Sequence, residues 1–287
     1  MGACGEGPLQ PGRSKRISAR APKPPDPLDI YVACGPGTEA ARRLQPRACA
    51  GAGDPEDTAA PRKDAELSYF SLILITLLLG VVAQVGINST YRKWGRVPNA
   101  VGITGAQAAR RMLDANGLYN VGIDRIKGEL TDNFDPRDNR LHLSQSTYDK
   151  TSVAAIAIAC HEAGHAVQHA TGYKPIKVRQ AIVPVAQFAS NAWIFILIIG
   201  FILNSLSVVW FAIILYACVV LFEVATLPVE FNASSRAIEV IGSSYPLPEE
   251  QLDGCKKVLR AAAFTYVASA LSSLLQLVYF AGLFDRN

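Results

Sequence analysis

The chain has 287 residues, half of them hydrophobic, and a formal net charge of +4. This composition is more apolar than a soluble globular domain requires, and it indicates a membrane protein. The net charge is small and the basic residues are scattered, which argues against a nucleic-acid-binding protein. The six cysteines include no CxxC pair, so they indicate neither a zinc ribbon nor a disulfide framework.

The first 62 residues differ in composition from the rest of the chain. They contain most of the 17 prolines and show no apolar periodicity. A segment of this kind cannot bury enough apolar surface to fold alone. We therefore predict a disordered or targeting leader over residues 1–62.

Three charge-free runs follow the leader, and each is long enough to cross the roughly 30 Å hydrocarbon core as a helix. The middle run, Gln180 to Phe222, is about twice as long as one crossing requires, so we predict a helical hairpin that turns at Asn204-Ser205. The sequence thus predicts about four spans: a first span at residues 68–87, spans two and three at 180–226, and a fourth at 261–284.

Two polar stretches, residues 88–179 and 227–260, lie between the predicted spans. In the first stretch, Thr104 and Gln107 match a capping box at the start of a short helix. A β-hairpin is predicted around Asp135-Pro136, and a helix is expected to begin near Ser152 and to end before Gly172. The predicted fold is therefore mainly α, with multi-pass membrane helices and a small α+β domain.

The last of these helices carries the sequence His-Glu-Ala-Gly-His at residues 161–165. His161 and His165 are four residues apart, so both imidazoles project from one helix face and can bind a single zinc ion. Glu162 is displaced by about 100° around the helix axis. It lies outside the first coordination shell but within reach of a zinc-bound water, where a general base is needed.

A catalytic zinc needs a third protein ligand and one open position. The sequence offers His169, His142, Glu223, Glu230 and Glu239. The two polar stretches are separated by two crossings and must lie on the same side of the membrane, which allows Glu230 to meet the two histidines. Glu223 is expected to lie too deep in the third span to reach the two histidines. Because an ionised carboxylate is unfavourable inside a membrane, its presence there could itself mark a functional residue, so Glu223 remains a reserve candidate. Pro228 is expected to end this span and to restart a helix that carries Glu230 in its first turn.

Four further residues are candidates for supporting roles. Ser234 follows Glu230 by one helical turn and is placed to hydrogen-bond a ligand. His169 is too far along the helix to share the ion easily, so a supporting position is expected for it. Arg236 and His142 are candidate donors to the oxyanion that forms during hydrolysis.

Three segments together resemble the YugP-like family of neutral zinc metallopeptidases in bacterial membranes. They are the stretch from Gln84 to Gly122, which includes QVGINSTYRKW and GITGAQAARRMLDANGLYNVG, the run HEAGHAVQHATGY at 161–173, and LPVEFNASSRA at 227–237. The resemblance covers roughly residues 68–285. It implies a multi-pass enzyme with a gluzincin-like centre, in which His161, His165 and Glu230 bind zinc and Glu162 is the base.

The sequence therefore predicts a membrane zinc endopeptidase with one zinc ion and a protein or peptide substrate that is associated with the bilayer. The alternative is a membrane scaffold or chaperone adaptor with structural zinc or none. Basic residues flank the predicted catalytic stretch, for example Arg92, Lys93 and Lys174, whereas the hairpin tip has no charge. By the positive-inside rule, the site is expected to face the cytoplasm, or the matrix or stroma of an organelle.

Overall fold

A computed structural model describes the backbone of residues 63–284 and the side chains of residues 69–282. The predicted leader over residues 1–62 lies outside the described residues. In chain order the elements are α1 (Lys63–Trp94), α2 (Gly105–Ala115), β1 (Gly122–Ile126), β2 (Asn133–Asp135), β3 (Arg140–Ser144), α3 (Gln145–Asp149), α4 (Val153–Ala170), α5 (Lys174–Ile202), α6 (Leu206–Ser244) and α7 (Glu249–Phe284).

Four of these helices, α1, α5, α6 and α7, are long and apolar enough to cross a membrane. Many of their large side chains are exposed, among them Leu78, Val85, Phe188 and Ile202. Apolar surface of this extent is stable against lipid rather than water. The predicted fold class, mainly helical with about four spans and a small sheet, is confirmed.

Helix α6 continues through Pro228, so the predicted break at this residue is wrong. A proline inside a helix removes one backbone hydrogen bond and crowds the carbonyl one turn earlier. The flanking residues Thr226 and Val229 are buried, and this packing holds the helix on both sides of the proline. A break would also free backbone groups for which lipid offers no partners. The third span and Glu230 therefore belong to one continuous helix.

The stretch predicted as residues 227–260 contains the last turns of α6, a short link and the first turns of α7. Helix α7 begins at Glu249, well before the charge-free run at 261–284. Both helices thus extend beyond their apolar parts. Their polar ends reach the same side as residues 88–179, where they pack on α4.

The small domain contains the predicted capped helix and a three-stranded sheet. Thr104 caps α2, and both hydrogen bonds of its capping box with Gln107 are present. β2 pairs antiparallel with β3, as the predicted hairpin requires, and Asn133 lies opposite His142. The sheet also contains β1, which pairs parallel with β3 and was not predicted. The resulting strand order is β1-β3-β2.

Helix α4 lies at the centre of this domain. The hydroxyl of Ser152 accepts a hydrogen bond from the backbone N–H of Ala155, which caps the first turn. Gly172, with φ of +63°, follows the last turn in a left-handed conformation that favours glycine. Between these two ends most of α4 is buried, including Ile156 and Cys160 at 0% exposure. A helix held on this many sides can position side chains accurately.

Candidate metal centre

Two histidines of α4 project from one face of the helix. The imidazole rings of His161 and His165 lie edge to face with centroids 4.7 Å apart. Each side chain is 13% exposed, so the rings are shielded yet still reachable from solvent. This is the arrangement that four-residue spacing on a helix predicts.

Helix α6 brings Glu230 to the same point, and a close approach of two backbones makes this possible. A Cβ atom added to Gly164 of α4 would lie only 2.9 Å from the carbonyl oxygen of Ala233 on α6. Only glycine fits a contact this short. Ala233 is itself small and fully buried. The two helices therefore cross near their smallest residues, and Glu230 reaches over the crossing toward the histidines.

The three side chains converge through specific atoms. Oε2 of Glu230 lies 3.2 Å from Nε2 of His161 and 3.6 Å from Nε2 of His165. One ligand atom from each residue lies within 4.8 Å of the others. Zinc bonds of about 2.0 to 2.2 Å in a tetrahedral site place ligand atoms about 3.3 to 3.6 Å apart. The donor set suits zinc, and the two distances from Glu230 are close to those of a zinc site.

The other ring nitrogen of each histidine contacts a polar group. Nδ1 of His161 lies 3.2 Å from Oγ of Ser234. Nδ1 of His165 lies 3.0 Å from Oε1 of Gln168, a carbonyl oxygen that can only accept. Both imidazoles thus direct Nε2 toward Glu230 and Nδ1 toward a neighbour, which is the usual orientation of histidines that bind a metal.

Gln168 was not predicted as a functional residue. Its side chain is fully buried, and its amide nitrogen donates to the backbone oxygen of Val229 at 2.8 Å and to Oδ1 of Asn232 at 3.0 Å. One amide therefore connects His165 to the turn of α6 that carries Glu230. The signal in the sequence was its position three residues after His165, on the same helix face.

The remaining candidates lie elsewhere or act through other residues. Nε of Arg236 donates to Oδ1 of Asn232 at 2.9 Å, so it is linked to His165 only through Asn232 and Gln168. His142 is 3.0 Å from Asp138 and 4.0 Å from Asp124. The ring of His169 packs 5.9 Å from that of Phe134.

Two acidic candidates for the third ligand also lie outside the cluster. Glu223 accepts a hydrogen bond from Ser269, and Glu239 lines a groove between α6 and α7.

The electrostatics of the centre favour positive charge. Burial alone disfavours protonation of His165, but the carboxylates of Glu230 and Glu162 outweigh it and raise the pKa of His165 to about 9. Burial raises the pKa of Glu162, while His161 and His165 act in the opposite direction and Asp132 adds to the increase. Two carboxylates in a shielded site therefore attract a cation to the histidine face.

Comparison with known proteins agrees with this geometry. The profile of the family described as "Putative neutral zinc metallopeptidase" matches residues 69–285. The chain belongs to this family. It is also 42% identical over 216 residues to the "Putative membrane protease YugP" of Bacillus subtilis (strain 168), a match that covers 75% of this chain and 96% of the relative. No solved structure gives a significant match. As a member of the family, the chain is a membrane protein whose His-His-Glu cluster is a possible zinc site.

Proposed function

We propose that this protein is a zinc-dependent endopeptidase of the membrane. The observation that carries the proposal is the convergence of His161, His165 and Glu230, in which the carboxylate lies 3.2 and 3.6 Å from the two imidazole nitrogens, close to the spacing of zinc ligands. These three residues would hold the ion, and Ser234 and Gln168 would orient the two imidazoles. Zinc in such a site lowers the pKa of a coordinated water and polarises a carbonyl.

The protein's own groups perform the proton transfers. Glu162 follows His161 directly in the sequence and is 8% exposed, so bulk water barely reaches its carboxylate. It takes a proton from the attacking water and later delivers it to the nitrogen of the leaving amine. The peptide bond is thereby broken with one water consumed, and Glu162 returns to its starting state.

The number of ligands supports catalysis over a structural role. Structural zinc sites are normally closed by four protein ligands, whereas catalytic sites keep one position open. Within residues 69–282, the cluster contains three such side chains. This arrangement favours the peptidase over the scaffold or adaptor with structural zinc.

We further propose that the centre faces the cytoplasm, or the matrix or stroma if the protein is organellar. Arg92, Lys93 and Lys174 lie at the ends of α1 and α5 that adjoin the small domain. Basic residues accumulate on the cytoplasmic side of membrane helices.

The test is Glu162→Gln, with zinc content and peptide hydrolysis measured on purified protein. Because the side chain acts on water rather than on the metal, the variant is expected to keep one equivalent of zinc and to lose hydrolysis by at least about a thousandfold. Glu129→Gln, the same change on an exposed loop, is the matched control and should behave as the unchanged chain. Turnover in Glu162→Gln close to that of the control would refute the mechanism.

A further inference from the structure

A groove between α6 and α7 lies beside the metal centre. Its volume is about 610 Å³. One wall carries Phe231 and Ser234 of α6, and the other carries a stripe of α7 that includes Arg260 and Phe264. Ser234 belongs both to this groove and to the centre, because its hydroxyl contacts Nδ1 of His161.

The groove changes character along its length. Ala263, Phe264 and Val267 line one end and fall in the charge-free part of α7 that begins at residue 261. Lys256 and Arg260 line the other end, one helical turn apart on the same face. Among the described residues that line the groove, Glu239 is the one acid, so the charges of Lys256 and Arg260 leave the polar end net positive. From Lys256 to Val267 the wall of α7 is about 17 Å long, at 1.5 Å per residue.

The cationic end lies level with the metal centre. Ser269 of α7 donates to Glu223 of α6, which sets the register of these antiparallel helices. Moving nine residues from this contact toward the small domain leads to Arg260 on α7 and to Asn232 on α6, which is two residues beyond Glu230. From Leu206, where α6 begins, to Glu230 the helix rises through 24 residue steps, or about 36 Å. With Leu206 taken as the point where α6 enters the hydrocarbon core, Glu230 and Arg260 fall just beyond its other edge, because the core is about 30 Å thick.

We infer that this groove binds the membrane-anchored part of a polypeptide substrate, with an acidic residue of the substrate at Lys256 and Arg260. This inference rests on the proposed peptidase function and names its substrate class. The apolar end accepts the part of the substrate that remains in the bilayer, and the net positive end accepts the acidic residue where the chain enters water. The shared Ser234 places the following substrate residues beside His161, where a scissile bond must lie.

The experiment measures binding separately from cleavage. The full chain with Glu162→Gln, loaded with zinc, is placed in nanodiscs of phosphatidylcholine and carries p-benzoylphenylalanine at position 264. The probe is a synthetic peptide with a single apolar span of about 20 residues, two boundary aspartates and a polar tail of randomised sequence. A second probe has lysines in place of the aspartates, and a third consists of the acidic boundary and tail without the span.

The anchored acidic probe is expected to cross-link at position 264. The double variant Lys256→Glu with Arg260→Glu should lower the cross-linking yield by about tenfold, because each partly exposed charge pair contributes a factor of about two to five. The same double variant should raise the yield of the lysine probe, which also shows that the variant is folded. Lys257→Glu is the matched control. Lys257 pairs with Asp253 and does not line the groove, so this change should leave both yields unaltered.

The inference is overturned if the cross-linking yield does not change with the charge of the probe or with the charge of the groove. So does a yield that responds to the groove charges only after anionic phospholipid is added, because the groove is then a lipid site. Hydrolysis by the zinc-loaded chain with Glu162 intact separates the two proposals. Charge-dependent cross-linking without hydrolysis of any probe supports the groove and refutes the peptidase. Equal hydrolysis of the anchored and span-free probes supports the peptidase and refutes the groove.

Discussion

The crossing of α4 and α6 at Gly164 should control zinc affinity, and Gly164→Ala tests this directly. The new Cβ would lie 2.9 Å from the carbonyl oxygen of Ala233, about 0.5 Å short of an ordinary contact. The carbonyl oxygen belongs to buried backbone and the position of the Cβ is fixed by the backbone of α4, so no flexible side chain can move aside. The helices must separate instead, and Glu230 moves with α6 relative to the two histidines.

The size of this shift sets the expected effect. Ligand distances in a zinc site tolerate about 0.2 Å, less than half of the required separation. We expect zinc affinity to fall by at least about tenfold, comparable with the loss of a residue that orients a ligand. Overpacking should also lower the free energy of unfolding by about 1 to 3 kcal/mol, partly offset by the roughly 1 kcal/mol advantage of alanine over glycine in a helix.

Gly242→Ala on α6 is the matched control. A Cβ atom at this position would meet only side-chain atoms of Leu252, at 3.7 Å or more. The control gains helix propensity without the clash, so the difference between the two variants isolates the steric effect. The assay is competition for zinc with a chelator, together with thermal unfolding in detergent. Equal zinc affinities for the two alanine variants would show that the close approach does not set the geometry of the centre.

Two further predictions concern the ligands and the orientation. At equal protein recovery, Glu230→Ala should lose stoichiometric zinc, whereas Glu223→Ala should retain it. Ser234→Ala should lower zinc affinity by about 10- to 100-fold. If Glu223→Ala loses zinc and Glu230→Ala retains it, the metal lies deeper in the membrane than proposed. For orientation, a cysteine introduced at Gln145 should react with an impermeant thiol reagent from the cytoplasmic side, and a cysteine introduced at Asn204 should react from the opposite side. Both signals are compared with the background of the unchanged chain. Labelling of each position from the other side would reverse the proposed orientation.

Local signals in the sequence predicted the parts of the fold that local interactions determine. Ser152 and Thr104 cap their helices through contacts within one turn, and the turn between the second and third spans falls at the predicted Asn204, in a left-handed conformation. The spacing of His161 and His165 fixes their common face without help from the rest of the chain.

Features that depend on distant contacts were missed. β1 joins the sheet only through parallel pairing with β3, and parallel pairs leave no turn signal in the sequence. Pro228 breaks isolated helices, but buried neighbours hold α6 intact around it. Gln168 has no motif of its own. Its importance comes from contacts with Val229 and Asn232, more than sixty residues away.

The continuity of α6 gives the centre a property that a separate soluble domain would lack. Glu230 and Ser234 lie on the same helix as the third span, so their depth relative to the bilayer is fixed by the hydrophobic length of that helix. Gly164 and Gln168 fix the two histidines to the same turns of α6. A change that slides α6 along the membrane normal therefore moves Glu230 away from its partners on α4 unless the small domain follows. Since α4 is buried in that domain and held at both ends, the position of α6 in the membrane and the geometry of the His-His-Glu cluster are coupled through one helix.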